Sequence, residues 1–160
     1  MKKLVFVLFL FAVIVPAALA APPAQSPAAY CNANAGLIGT GKLYRNFGAC
    51  ISKQQAQQDA NTANAAKLCK AELADPNFAA GHGGKSFAQY YATTSANVKG
   101  NGNAFGKCVA QKASTKTAAQ QTVEVKAAKT CRTDAMKAAT GEGKLYRNFG
   151  ACVAAHSKKG

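Results

Sequence analysis

The chain has few of the residues that build hydrophobic cores. Leu, Ile, Val and Phe make up 17 of the 140 residues after Ala20, about 12%, a share below the level at which composition alone indicates disorder. The overall hydrophobic content of 49% reflects abundant alanine and an apolar N-terminal segment. Because alanine favours helix but buries little apolar area, the composition excludes one large core and predicts that cross-links supply much of the stability.

The sequence also lacks any Cys-x-x-Cys motif, although it has six cysteines. This absence argues against a zinc site, a thioredoxin-like site and covalent haem attachment. An even number of cysteines in a small exported chain instead predicts disulfides.

Histidines and acidic residues are equally scarce. His82 and His156 are the only histidines, and Asp and Glu together number six. Metal sites need several ligands at usable spacing, and nucleophilic catalysis needs a free nucleophile beside a base. We therefore expect no metal, no cofactor, no small-molecule substrate and no catalysis, with a hydrolase as the least favoured alternative.

One glycine-rich segment, residues 79–86, matches a relaxed phosphate-binding loop in which Ala79 replaces the first glycine. Such a loop must follow a buried strand. Here it follows Asp75-Pro76 at the end of a predicted helix, so we expect no nucleotide site.

The first twenty residues have the pattern of an export signal. Lys2 and Lys3 precede an apolar run from Leu4 to Val15, and Ala18-Leu19-Ala20 predicts cleavage between Ala20 and Ala21. The alternative is an uncleaved anchor, since residues 4–21 are uncharged and barely long enough to span a bilayer. No second apolar stretch follows, so we expect no transmembrane segment after cleavage and a secreted, extracellular or cell-envelope location.

Positive charge is abundant. The chain has 20 basic and 6 acidic residues, and removal of Lys2 and Lys3 leaves 18 and 6, a net charge of +12. Such a surface attracts polyanions, which include anionic polymers of the cell envelope. Alternatively, the lysines only keep an alanine-rich helical protein soluble.

A ten-residue segment, Gly-Lys-Leu-Tyr-Arg-Asn-Phe-Gly-Ala-Cys, occurs twice, at 41–50 and 143–152, and residues 105–109 are a shortened third version. This recurrence indicates duplication of a small unit. Each unit has an early and a late cysteine, and the predicted units cover about 28–53, 65–112 and 127–156. They follow a proline-rich leader, 21–27, which we expect to be disordered.

Two segments that join the units, 47–73 and 104 to about 139, contain no proline and are rich in Ala, Gln and Lys. Asn46 and Asn103 can serve as their N-caps, while Asp75-Pro76 and Gly141 can end them. The fold class predicted is all-α, an elongated helical repeat array without a sheet. Because the middles of both helices are polar, we expect contacts at the helix ends only.

These helices restrict the cysteine pairing. Cys50 and Cys69 would lie roughly 28 Å apart on one helix, and Cys108 and Cys131 roughly 35 Å apart, whereas a disulfide needs Cα atoms within about 7 Å. The pairing favoured therefore crosses the loops: Cys31–Cys50, Cys69–Cys108 and Cys131–Cys152.

The loops contain aromatic residues beside bases. In the middle loop, residues 86–93 can form a short helix with Phe87, Tyr90 and Tyr91 on one face as a local core. In the ten-residue segments, bases alternate with Leu, Tyr and Phe, which we expect mainly to pack beside the cysteines. The candidate polyanion contacts are Lys42, Arg45, Lys85, Lys144 and Arg147.

Residues 65–80 (AAKLCKAELADPNFAA), 82–91 (HGGKSFAQYY) and 103–109 (NAFGKCV) resemble a repeat of small secreted Ala/Lys-rich six-cysteine proteins of actinobacterial type. The resemblance covers the middle unit, and the outer units match only at their cysteine ends. It implies export and repetition, and it implies no activity. The sequence thus predicts an exported cationic protein that binds polyanions or has a structural role. The alternative is a membrane-active or toxin-like secreted protein, and the oligomeric state stays open.

Overall fold

The computed structural model describes residues 23–91 and 102–158, and within these ranges it is helical with no strand. The helices are α1 (Pro27–Ala33), α2 (Phe47–Ala74), α3 (Phe78–Gly81), α4 (Phe87–Tyr91), α5 (Gly102–Cys131), α6 (Asp134–Ala138) and α7 (Phe149–Ser157). A short 3₁₀ turn covers Ala35–Leu37. The predicted all-α class is confirmed for the described residues. The predicted export signal and its predicted cleavage site lie outside them.

The two long helices, α2 and α5, pack antiparallel. Gln54 Oε1 accepts a hydrogen bond from Gln121 Nε2 at 3.3 Å. Further along α2, Asn61 Nδ2 donates to Thr117 Oγ1 at 3.0 Å and to Gln120 Oε1 at 2.6 Å. The partner numbers fall along α5 as they rise along α2, which defines the antiparallel direction. The expectation that only the helix ends make contact is therefore wrong.

A stripe on α2 explains this contact. Its buried residues are Cys50, Gln54, Asn61, Ala65 and Cys69, and intervals of four and seven residues place them on one helix face. Buried polar groups are tolerated when they are hydrogen-bonded. Among the described residues, no buried side-chain nitrogen or oxygen lacks a hydrogen-bond partner.

The boundaries of the long helices agree with the sequence signals at α2 and differ at α5. Asn46 caps α2 by accepting from the backbone N of Ala49 at 2.8 Å, but Asn103 lies inside α5 rather than at its cap. The helix α5 ends at Cys131, not near residue 139. Thr133 there becomes extended, and its hydroxyl donates to the Thr130 carbonyl at 2.8 Å, which satisfies one of the carbonyls left free at a helix end.

Three disulfides join the helices, and they are the pairs favoured by the sequence. Cys31–Cys50, Cys69–Cys108 and Cys131–Cys152 each have a Cα–Cα distance of 6.0 Å. The middle bridge ties the end of α2 to the start of α5. The antiparallel pair of α2 and α5 is called the hairpin below. The two outer bridges lie together at its opposite end, within one apolar cluster.

Each end of the hairpin has its own small core. The cluster at the two outer bridges includes Tyr30, Leu37, Tyr44 and Val153, all 2% exposed or less. The cluster at the middle bridge contains Phe78, Phe87 and Tyr91. The apolar residues are thus divided between two sites that are each beside a disulfide, as expected of a chain with so few of them.

The middle loop forms its predicted local core in part. The helix α4 begins after a reciprocal cap, in which Ser86 N donates to Gln89 Oε1 at 2.9 Å and Gln89 N to Ser86 Oγ at 3.3 Å. Phe87 and Tyr91 are buried, whereas Tyr90 is 45% exposed. The last residues of the predicted 86–93 helix lie outside the described ranges.

The disorder expected of the leader 21–27 does not extend to its last residues. The backbone N of Gln25 donates to Gln121 Oε1 at 3.0 Å, and its carbonyl accepts from Gln58 and Gln121. Ser26 then caps α1. The glutamine side chains of both long helices therefore hold this segment against the hairpin.

Candidate functional site

A buried carboxylate organises the end of the hairpin that carries the outer disulfides. Glu124 of α5 is 7% exposed, and its Oε2 accepts hydrogen bonds from Tyr30 Oη at 2.8 Å, Tyr44 Oη at 2.6 Å and Gln54 Nε2 at 3.1 Å. Lys53 Nζ lies 3.9 Å from the other oxygen. A buried charge is costly unless it is paired and hydrogen-bonded. This set of donors therefore fixes α1, α2 and the first ten-residue segment to α5.

The two phenols in this network are hydrogen-bond donors and not bases. Burial raises the pKa of Tyr30 and of Tyr44 far above the ordinary value, and the neighbouring Glu124 raises both further. Both hydroxyls are consequently protonated at neutral pH, as donation to the carboxylate requires.

The two copies of the ten-residue segment have the same local conformation. Tyr44 N donates to Leu37 O at 2.9 Å, and Tyr146 N donates to Ala139 O at 3.0 Å. The matching glycines have matching positive φ angles, 131° at Gly39 and 144° at Gly141, then 72° at Gly41 and 69° at Gly143. Asn148 caps α7 as Asn46 caps α2.

The second copy packs directly on the first. Gly150 N donates to Gly41 O at 2.9 Å, and a Cβ atom at Gly150 would overlap the backbone of Lys42 and Leu43. The start of α7 therefore approaches the first segment closely at Gly150, and Lys42 Nζ lies 4.8 Å from the centroid of the neighbouring Phe149 ring.

A cleft of about 310 Å³ lies where the two copies meet. We call it the basic cleft, and it is lined by Lys42, Cys131, Arg132, Lys137, Thr140 and Phe149. Arg132 Cζ lies 5.9 Å from the Phe149 centroid, so two cations approach the same ring. Lys137 Nζ is bonded to Asp134 Oδ1 at 3.0 Å.

The basic cleft has the chemistry of an anion site. Lys42 and Arg132 are exposed, and neither has a carboxylate within 4 Å among the described residues. A guanidinium binds carboxylate, sulfate or phosphate through two parallel hydrogen bonds, while a lysine supplies a point charge. Both cations lie within 6 Å of the Phe149 centroid.

The structure brings only one of the five predicted contact residues into this cleft. Lys42 lines it, whereas Arg45, Lys144 and Arg147 are exposed on the same two segments but outside it. Lys85 is exposed at the other end of the hairpin, beside the middle-bridge core. The sequence reasoning missed Arg132 and Lys137. The signal for Arg132 was a base that directly follows Cys131, as Lys70 follows Cys69.

Both histidines have structural partners. His82 stacks on Phe78 with ring centroids 3.8 Å apart, and its Nδ1 lies 2.7 Å from the Phe78 carbonyl oxygen. Cys131, Cys152 and His156 place ligand atoms within 4.8 Å of one another. The two sulfurs are bonded to each other, so they are not the thiolates that bind metals.

The glycine-rich segment 79–86 is also unlike a nucleotide site. It begins within α3, and Gly83 and Gly84 then form a turn with φ angles of 64° and 78°. Helix α2 lies before this segment and α3 overlaps its first residues, where a phosphate-binding loop requires a preceding strand.

No family model, curated protein or solved structure matches this chain. The resemblance to small secreted actinobacterial proteins therefore stays a hypothesis. Within residues 23–91 and 102–158, every helix is too short or too polar to cross a lipid bilayer. Three intramolecular disulfides are compatible with an extracellular location.

Proposed function

We propose that this protein is an exported, non-catalytic polyanion-binding protein of the cell envelope or extracellular space. The observation that carries the proposal is the basic cleft, where Lys42 and Arg132 converge on Phe149 without a described carboxylate partner. Cleavage of the export signal would leave a chain of net charge +12, from 18 basic and 6 acidic residues. Its field would concentrate anionic polymers near the surface.

Exposed bases outside the cleft could add contacts to a long polymer. Arg45, Lys144 and Arg147 are exposed on the two ten-residue segments, and Lys85 is exposed at the other end of the hairpin. The ion pairs between described side chains engage Lys53, Lys112 and Lys137 instead. A long polymer could therefore occupy the cleft with one anionic group while neighbouring groups meet the exposed bases. Binding of this kind needs no deep pocket and no catalytic group.

Binding of labelled poly-glutamate to the purified, disulfide-bonded protein at 0.15 M salt tests the proposal, with uncharged dextran as the neutral polymer. We expect poly-glutamate to bind and to weaken steeply as salt increases, because exposed charges are screened. Weak retention of both polymers to the same extent would reject the proposal.

A pair of double variants tests the role of the cleft. K42Q/R132Q removes two charges inside it, and K67Q/K70Q removes two charges from the exposed surface of α2. We expect the cleft variant to weaken binding about tenfold or more, and the matched variant by about two- to threefold through net charge alone. Equal losses would show that binding depends on overall charge and not on the cleft.

A further inference from the structure

A second concave site lies at the opposite end of the hairpin, between α2 and α5. This groove has a volume of about 610 Å³, within the range typical of small-molecule sites. Its main lining residues are Ala65, Leu68, Tyr90, Tyr91, Lys112 and Lys116. It shares no residue with the basic cleft.

The groove presents apolar side chains to solvent. Ala65 and Tyr91 are buried, while Leu68 is 57% exposed and Tyr90 is 45% exposed. A single exposed leucine is ordinary on a protein surface, and Leu145, at 74% exposed, lines neither this groove nor the basic cleft. Leu68 differs because it shares one concave space with a half-exposed aromatic ring.

The two lysines of the groove differ in their partners. Lys112 Nζ is bonded to Glu72 Oε1 at 2.9 Å, and Tyr91 Oη donates to Glu72 Oε2 at 2.8 Å. Burial alone would raise the pKa of Glu72, but the hydrogen bonds from Lys112 and Tyr91 outweigh it and lower the pKa. Lys116 is exposed and has no described carboxylate within 4 Å. One positive charge in the groove is therefore uncompensated.

The walls of the groove are held in place covalently. Cys69, next to Leu68, is bonded to Cys108 of α5, and the Glu72–Lys112 pair joins the same two helices. A site whose walls are fixed before binding loses less conformational freedom when a ligand enters.

We propose that this groove binds a small amphipathic anion, a molecule with one carboxylate or sulfonate on an aromatic or alkyl body. The apolar body would lie against Leu68 and Tyr90, and the anionic group would approach Lys116. This site goes beyond the polyanion-binding proposal and does not depend on it.

The probe is 8-anilinonaphthalene-1-sulfonate, an aromatic sulfonate whose fluorescence increases in apolar sites. With the disulfide-bonded protein at 0.15 M salt, we expect saturable binding at one site per chain. We expect displacement by dodecanoate but not by dodecanol at equal concentration. Absence of saturable binding would overturn the proposal, and so would equal displacement by the alcohol.

Four variants locate the site. We expect L68N to raise the dissociation constant of the dye about tenfold and K116Q to raise it about three- to fivefold. L145N and K67Q should leave it unchanged. Unfolding measurements on each variant verify that it is folded, and amide chemical shifts give a second readout that should change around Leu68 and Tyr90. Loss of dye binding in L145N, or unchanged binding in both L68N and K116Q, would overturn the assignment.

The basic cleft is the competing location for a sulfonate, because it also combines cations with an aromatic ring. K42Q/R132Q should leave dye binding unchanged if the groove is the site. Loss of dye binding in that variant, with L68N unaffected, would place the dye in the cleft and overturn the inference without affecting the polyanion-binding proposal.

Discussion

The two ten-residue segments at 41–50 and 143–152 have identical sequences and matching backbones, but their side chains have different neighbours. Tyr44 in the first copy is 2% exposed and bonded to Glu124 at 2.6 Å. Tyr146 in the second copy is partly exposed, and its hydroxyl lies 3.3 Å from His156 Nε2. Local sequence therefore determines the turn and the helix cap, whereas packing outside the segment determines what each side chain does.

The residue four positions after the last cysteine contributes to this difference. It is Gln54 after the first copy and His156 after the second, and each contacts the tyrosine of its own copy. Gln54 is fully buried and also reaches Glu124. His156 is partly exposed near the end of α7. The tyrosine of the first copy is thus part of the buried network around Glu124, whereas the tyrosine of the second copy is not.

The matching glycines, Gly48 and Gly150, also differ in burial, but here the buried residue is in the second copy. Gly48 is exposed, and a Cβ there would have Asn46 Oδ1, 3.5 Å away, as its nearest neighbour. Gly150 is buried against Lys42. A helix interior normally disfavours glycine, so the second copy uses the missing side chain for contact and the first copy does not.

Gly150→Ala and Gly48→Ala give the strongest contrast between the copies. We expect G150A to lower the free energy of unfolding by about 2–3 kcal/mol, because the new Cβ would displace the backbone at Lys42. G48A should raise it by up to about 1 kcal/mol, since alanine favours helix and the nearest contact of its Cβ, at 3.5 Å, is an ordinary van der Waals distance. Denaturant unfolding with the disulfides intact measures both.

The outcome that contradicts this comparison is a similar effect of the two alanines. If G150A were neutral, the contact between the segments would not be close. If G48A were as destabilising as G150A, helix propensity would not decide the effect at the first copy.

Tyr44→Phe and Tyr146→Phe compare the two hydroxyls. We expect Y44F to cost about 1.5–2.5 kcal/mol, because it removes a hydrogen bond to a buried carboxylate. Y146F should cost less than about 0.5 kcal/mol, since its hydroxyl is partly exposed and its contact is long. Denaturant unfolding again provides the measurement.

A double-mutant cycle with Glu124→Gln provides the control for Y44F. The two changes should be strongly non-additive, because they alter the same interaction. Additive costs would show that the Tyr44 hydroxyl stabilises the protein through another partner.

Much of the fold follows from local sequence signals. Asn46 and Asp75-Pro76 mark the ends of α2, and the length of that helix separates Cys50 from Cys69, which leaves the loop-crossing pairs. Each of these inferences needs only nearby residues and helix geometry.

The contact between α2 and α5 could not be predicted from nearby residues and helix geometry alone. Gln54, Asn61 and Gln121 have side chains that are ordinarily exposed, and composition does not distinguish amides that meet a partner helix from those that meet water. The spacing of Gln54 and Asn61 from Cys50 and Cys69 was the available clue, because it places them on the cysteine face. The basic cleft depends on how the two copies pack together, and no local pattern specifies that.

The dependence of stability on alkaline pH tests whether the phenols of Tyr30 and Tyr44 are buried. Burial and Glu124 raise the pKa of Tyr30 and Tyr44 above 10, their ordinary value. Above pH 10 the unfolded chain loses these protons while the folded protein retains them. The two tyrosines therefore stabilise the fold fully below pH 10, and each should lose about 1.4 kcal/mol of that contribution per pH unit above it.

The free energy of unfolding should be measured between pH 9 and pH 11.5. Its loss per pH unit should be smaller in Y44F than in the unsubstituted protein, and smaller still in Y30F/Y44F. The pKa values of Tyr91 and Lys112 are also raised, so part of the alkaline loss should persist in both variants. All described cysteines are in disulfides, so they supply no thiolate for disulfide exchange at these pH values.

An unchanged slope in the double variant would mean that the phenols ionise equally in the folded and unfolded chains. The network around Glu124 would then not be the buried, water-excluded junction that distinguishes the first copy from the second.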